Sequence, residues 1–213
     1  MIEALIFDVD GVLVDSMHLH AHAWKTAFAE AGIDFDEREI YGMEGANDKG
    51  IVEMVTKSLD KEIDDGIFNS VPARKHELFN VDDVKVFDGM DTCLQNLKND
   101  LLLAVVSGSD RSAVEKMMGR FFPDTFNVMV SGSDGIQGKP NPDPYNKAVE
   151  ELGVRKENCI VVENAPLGVE AAKSAGLFCI GLPTYVDSTQ LEHANLVLKN
   201  HEELIAYLKE TLE

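Results

Sequence analysis

Five short runs of consecutive apolar residues punctuate the chain, at 4–7, 101–106, 128–130, 159–162 and 178–182. Each is too short for a helix and lacks the alternation of a half-solvated strand, so each predicts a strand buried on both faces. Between them, apolar residues recur at helical spacing. Residues 110–119 carry Val114, Met117 and Met118 behind a polar start. Residues 143–153 gather Tyr145, Ala148, Val149 and Leu152 on one face and stop at Gly153, while 166–176 open on Pro166 and close on Gly176. Strand and helix in alternation predict an α/β fold built on a doubly wound parallel sheet.

One stretch departs from the alternation. From Ser16 to Asn80 there is no buried strand, and the pattern predicts helices at 17–31, 46–59 and 64–79 separated by turn residues. The expectation is an α/β catalytic core formed by 1–15 and 81–213, with a small helical cap domain inserted at 16–80.

In an open parallel sheet, ligands bind beyond the carboxyl ends of the strands. Asp8-Val9-Asp10 follows the first run and Ser107-Gly108-Ser109 the second. Gly138-Lys139-Pro140 lies in the loop after the third, and Glu163-Asn164 follows the fourth. Singly, each has a plain explanation: a solvated Asx turn, a surface lysine, a helix cap at Ser109-Asp110, a carboxylate at a helix start. Those explanations do not account for all four falling at strand ends in order.

Phosphoryl transfer would account for it. Asp8 and Asp10, two apart in extended chain, share a face about 6–7 Å apart. A phosphorus atom fits between them, one carboxylate attacking and the other beside the leaving or entering oxygen. A carboxylate approaches a phosphoryl dianion only with compensating positive charge, and Mg2+ takes oxygen ligands from carboxylates and phosphate. Asp8, the Asp10 carbonyl, Glu163 and Asn164 are the candidate metal ligands. Lys139, Ser107 and the backbone at Gly108 are the candidate phosphate-binding groups.

Charge narrows the partners. With 213 residues, 45% of them hydrophobic, the formal net charge is −19, which disfavours nucleic acid and anionic membranes. No apolar run approaches the roughly 18 residues of a membrane span. The run at 4–7 leads at once into Asp8, so no signal peptide and a cytoplasmic, monomeric protein are expected. Cys93, Cys159 and Cys179 match neither a disulfide framework nor a metal-ligand spacing, and predict reduced thiols.

These residues resemble the haloacid dehalogenase superfamily of aspartate-nucleophile phosphotransferases. Asp8-Val9-Asp10-Gly11-Val12-Leu13-Val14-Asp15-Ser16 looks like its first motif, Val105-Val106-Ser107-Gly108-Ser109 its second, Gly138-Lys139-Pro140-Asn141-Pro142-Asp143 its third. Val161-Val162-Glu163-Asn164-Ala165-Pro166-Leu167-Gly168 is similar to the fourth. The insertion after the first motif is similar to that of the β-phosphoglucomutase and phosphoglycolate phosphatase branch. The resemblance implies that Asp8 forms an aspartyl-phosphate and that Asp10 acts as acid and then base. Ser107 and Lys139 would hold phosphate, and Glu163 and Asn164 would serve Mg2+. One departure matters: Asn164 stands where that motif often has aspartate, which removes one negative charge from the metal site.

The cap poses the substrate question. His18, His20 and His22 lie along one predicted helix; His18 and His22 read as a solvated face, while His20 is placed like a β-phosphoglucomutase histidine that meets the acid/base aspartate. No arginine appears near Tyr41–Asp48 to grip a distal phosphate, leaving Lys49, Arg74 or Lys75 as substitutes. Glu44 either points toward the site to help bind magnesium or merely starts a helix. The expected function is a Mg2+-dependent phosphatase of a small phosphorylated metabolite. Inorganic pyrophosphatase, sugar phosphomutase and non-catalytic metabolite-binding protein are the alternatives.

Overall fold

Strand β1 (Ala4–Phe7) buries all four side chains completely, Leu5 and Phe7 into one apolar cluster, Ala4 and Ile6 into another. That is why its sequence is a continuous apolar run rather than an alternation. The computed structural model describes residues 1–59 and 65–212. After β1 come β2 (Val14–Asp15), α1 (Met17–Glu30), α2 (Arg38–Gly42), α3 (Asp48–Ser58) and α4 (Asp65–Leu78). The chain continues through β3 (Lys85–Val86), α5 (Met90–Leu97), β4 (Leu102–Val106), α6 (Arg111–Phe121) and β5 (Val128–Val130). It ends with α7 (Asp143–Leu152), β6 (Cys159–Glu163), α8 (Pro166–Ser174), β7 (Phe178–Gly181), β8 (Leu196–Val197) and α9 (His201–Leu212).

Six strands form one parallel sheet in the order β5-β4-β1-β6-β7-β8. The chain runs outward from β1 through β4 to β5, then crosses back to β6 on the other side of β1. The switch point of this doubly wound sheet is therefore at β1, with Phe7 in register with Val105 and Val162. Helices cover both faces. Burial of each large apolar side chain contributes about 1.5–3 kcal/mol, and the two clusters on either face of the sheet hold most of them.

Helices α1 to α4 pack around a separate cluster that includes Trp24, Phe28, Ile40, Val52 and Val71. The chain enters and leaves this layer through a two-stranded antiparallel ribbon, Val14 paired with Val86 and Asp15 with Lys85. Neither strand of that ribbon was legible as a strand, because two residues are too few to show a period. Similarly, β8 and α2 are short, and α5 begins behind Gly89 at φ 80° with no side-chain cap to announce it. The helix expected at 46–59 starts only at Asp48, since the Asn47 side chain caps it by accepting from the Gly50 amide. That expected at 64–79 covers Asp65–Leu78, and Asp64 lies outside the described residues. Cys93, Cys159 and Cys179 are free and buried. No described helix is long and apolar enough to cross a membrane.

Candidate active site

The sheet edge beyond β1, β4 and β6 collects the polar residues that follow those strands. The Asp8 amide donates to Val162 O at 3.0 Å, extending the ladder one residue and fixing the side chain at the switch point. Lys139 arrives from the loop before α7, 4% exposed. Its ammonium donates to Asp8 Oδ1 (2.5 Å), Glu163 Oε1 (2.6 Å) and Val106 O (3.0 Å). All three N–H bonds are thereby used. Lys139 was expected to hold phosphate directly; in this arrangement its positive charge, rather than a free N–H, is what it presents to a phosphoryl group.

Glu163 also differs from its expected place among metal ligands. Oε1 accepts from Lys139 and from Tyr145 Oη (2.7 Å), and Oε2 accepts from the amides of Asn164 (2.9 Å) and Ala165 (3.1 Å). Four donors occupy both oxygens, leaving no lone pair for a cation; Glu163 anchors Lys139 instead. The fit is tight enough that a Cβ on Gly168 would come within 1.7 Å of Glu163 Oε1. Glycine inside α8 is therefore a requirement of close approach.

Asp10 is surrounded in the same way. Ser16 Oγ (2.5 Å) and His20 Nε2 (3.0 Å) meet Oδ1, while Ser109 Oγ (3.1 Å) and Ser107 Oγ (3.3 Å) meet Oδ2. Burial alone would raise this carboxyl, but the charge and hydrogen bond of His20 and the Ser16 bond outweigh it and hold Asp10 well below the usual carboxylate range. Burial in turn lowers the His20 imidazole against the pull of Asp10, with Lys75 adding to the lowering. The ring meets the ionised Asp10 carboxylate through its Nε2–H. His20 is clamped by stacking on Phe79, centroids 4.0 Å apart.

Asp8 behaves oppositely. Burial lifts its carboxyl well above the usual range; Lys139 opposes this, while Glu163 and Asp10 push the same way. A nucleophilic carboxylate at that position calls for another cation. Two buried oxygens nearby are unpartnered among the described residues, Asn164 Oδ1 and Glu44 Oε2. Their side chains already touch, Asn164 Nδ2 donating to Glu44 Oε1 at 2.7 Å. Burial, with Asp8, Asp10 and Glu163 nearby, pushes Glu44 well above its ordinary value, against the Asn164 bond. No group of three His, Cys, Asp or Glu side chains is assembled for a metal among the described residues. An oxygen-only set of carboxylate, amide and carbonyl, completed by water and substrate, fits Mg2+.

A cavity of about 40 Å³ lies between the helical layer and this edge, bounded by Asp8, Asp10, His20, Glu44, Asp48 and Lys75. Lys75 is 2% exposed, its ammonium 5.4 Å from the centroids of both Trp24 and Phe79. Gly108 faces the helical layer: a Cβ there would meet the Ala46 carbonyl oxygen at 2.4 Å. The other cations considered for a distal grip lie elsewhere, Arg74 pairing with Glu30 and Glu77 on the surface and Lys49 with Glu53. His18 is exposed beside Asp15, and His22 is exposed. Ser16, Ser109, Tyr145 and Asp48 were not singled out as site residues. Tyr145 gave the one available signal, a phenol on an apolar helix face that needs a buried partner.

The sequence model of the haloacid dehalogenase-like hydrolases matches residues 5–182. The chain belongs to that family. It is 30% identical over 206 residues to the validoxylamine A 7'-phosphate phosphatase of Streptomyces hygroscopicus subsp. limoneus, covering 96% of each chain. It is 31% identical over 218 residues to the phosphorylated carbohydrates phosphatase of Thermotoga maritima, covering 99% of this chain and 100% of that one. The structure of CbbY from Rhodobacter sphaeroides in complex with phosphate superposes with a TM-score of 0.80 at 28% identity, covering 96% of both chains. Like the two phosphatases, the protein is a phosphohydrolase.

Asn164 is where this family member can be probed directly. An Asn164→Asp variant loses the amide that bonds Glu44 and sets two carboxylates together. Its melting temperature in EDTA is expected to fall by several degrees, for a cost of about 1–3 kcal/mol. Added magnesium should restore stability more steeply than in the unaltered protein; equal magnesium shifts would overturn the expected role of Asn164 as a magnesium ligand.

Proposed function

We propose that the protein hydrolyses the phosphoryl group of a small phosphorylated metabolite through an aspartyl-phosphate on Asp8, with Mg2+ as cofactor. Residues 1–15 and 81–213 form the catalytic core and 16–80 the cap that selects the substrate. The observation that carries this reading is the opposite surroundings of two neighbouring buried carboxylates. Four side-chain donors meet Asp10, whereas among the described residues Lys139 alone meets the Asp8 carboxylate, which leaves room there for a cation and a phosphoryl group.

The Asp8 carboxylate attacks phosphorus as the bond to the leaving oxygen breaks. That oxygen takes a proton from Asp10, which binds one from solvent as the phosphate dianion arrives beside it and returns the later, water-derived proton to solvent once phosphate leaves. Water then attacks the phosphorus of the acyl phosphate, gives its proton to Asp10, and frees Asp8 and inorganic phosphate. Asp8, the Asp10 carbonyl, Asn164 and Glu44 would hold Mg2+, which would supply the positive charge that keeps Asp8 ionised and offsets charge on the phosphoryl oxygens. Lys139 is kept against Asp8 by Glu163 and Tyr145, and Ser107 orients Asp10. Phosphate release from a panel of sugar phosphates, phosphoglycolate, nucleotides and pyrophosphate, with and without magnesium, tests the proposal. Magnesium-independent turnover, or none on any compound, would overturn it.

Inorganic pyrophosphate is the second reading, favoured by the small cavity, by the unpartnered Glu44 and Asn164 oxygens, and by Lys75 as the one lysine or arginine lining that cavity among the described residues. A sugar phosphomutase is less well supported, because no arginine lines that cavity. Glu44→Gln is expected to weaken magnesium binding, read as a thermal shift, by about tenfold or more. It should also reduce pyrophosphate turnover more than that of monoesters. Unchanged pyrophosphate turnover would exclude this reading.

A further inference from the structure

A second histidine stands at the seam between the helical layer and the sheet layer, away from Asp8. His76, near the end of α4, places Nε2 2.7 Å from Asp48 Oδ2 and 3.7 Å from Asp110 Oδ2. Asp48 opens α3 and bounds the cavity. Asp110 belongs to the core: it caps α6, its Oδ1 accepting from the Ala113 amide at 3.1 Å, which leaves Oδ2 toward His76. One nitrogen therefore faces two carboxylates delivered from opposite sides of the seam.

We propose that His76 is a positioning residue that holds the helical layer closed over Asp8 by standing, as an imidazolium, between Asp48 and Asp110. A neutral ring serves only one carboxylate and leaves two like charges facing each other across the seam. Both side chains are mostly covered, 24% and 17% exposed, so water screens that repulsion poorly. Closure at this seam also brings the Gly45 and Ala46 carbonyls onto Gly108, so releasing it would open the cavity.

The charged groups facing His76 are Asp48 from α3, Asp110 from the cap of α6, and Lys75 beside it on α4. The Asp48 hydrogen bond raises the imidazole, partial burial lowers it, and the charge of Asp48 raises it again; Lys75 lowers it and Asp110 raises it, for a net upward shift. A raised value means that the bridge contributes fully below about 6.5, the unperturbed value, and is lost as pH rises through the folded-state value above it. The layers should close in mildly acidic solution and loosen in mildly alkaline solution.

Trp24, the chain's single tryptophan, bounds the cavity and is 3% exposed. Its quenching by acrylamide, together with amide hydrogen exchange at 45–47, reports closure without requiring turnover, so the test is independent of the phosphatase reading. In the full chain, quenching should rise about two- to threefold between pH 6 and 9, the size of shift that a half-buried ion pair supports. His76→Lys should keep it low throughout, and His76→Gln should hold it high at every pH. Asp110→Asn retains a capping oxygen but should flatten the pH dependence. A flat profile in the unaltered protein, or an unaltered profile in His76→Gln, would overturn the bridge.

Discussion

Replacing Asp8 by asparagine is expected to lower magnesium-dependent phosphate release by about 10⁴-fold or more while the protein stays folded. The magnitude follows from the role, since removing a nucleophile that acts with its acid/base partner forfeits the covalent route entirely. An amide is isosteric with the carboxylate and can still meet Lys139, but it cannot attack phosphorus. Stability should be nearly unchanged because Lys139 keeps its bond to Glu163 at 2.6 Å, so no buried charge is left alone. Phosphate release and thermal unfolding measured on the same preparation separate the two effects. Activity within tenfold of the unaltered protein would remove Asp8 as nucleophile.

Lys139→Met is expected to give the largest loss of stability. The lysine balances two buried carboxylates, Asp8 at 3% exposure and Glu163 at 0%. Its own ammonium is raised despite burial, chiefly because Asp8 and Glu163 surround it. Removing it leaves those carboxylates facing each other in a site closed to water, a cost of about 3–5 kcal/mol. For a chain of this size that corresponds to a fall of about 6–20 °C in melting temperature. The deficit should depend on pH with a definite sign. Burial already raises Asp8, and without lysine that rise is unopposed. A carboxyl whose folded-state value is raised favours the folded state below its unfolded value, near 4, and loses that contribution as pH rises. The variant should therefore come closest to the unaltered protein near pH 4 and fall furthest behind it near pH 7. A constant deficit across that range would show that packing, not charge, is what Lys139 supplies. Activity should be lost in either case, because Asp8 loses its cation.

Legibility in the sequence differed from element to element for physical reasons. The strands β1, β4, β5, β6 and β7 could be read because a parallel strand covered on both faces must be apolar at every position, as Ala4 to Phe7 are. The ribbon of β2 and β3 could not, since its pairing of Val14 with Val86 joins segments far apart in the chain. Asp8, Asp10, Ser107, Lys139, Glu163 and Asn164 were placed on one edge by strand order alone. What each of them touches was not available from order. That Glu163 spends all its lone pairs on Lys139, Tyr145 and two amides depends on α7 and α8 converging on β6.

Among the residues of the helical layer, His20, Glu44 and Lys75 were candidates beside Lys49, Arg74, His18 and His22, with little in the sequence to separate them. All lie in helical or turn segments of similar polarity, and the direction each side chain takes depends on how α1 to α4 pack around Trp24 and Phe28. By itself, then, the sequence determined the sheet and the set of strand-end residues around Asp8, because backbone periodicity and burial are local properties. Only the tertiary structure decided which cation holds which carboxylate, why Asp8 and Asp10 sit in opposite electrostatic surroundings, and that Glu44 and Asn164 meet with an oxygen each left unpartnered among the described residues. Those are properties of distance and desolvation between residues up to 131 positions apart.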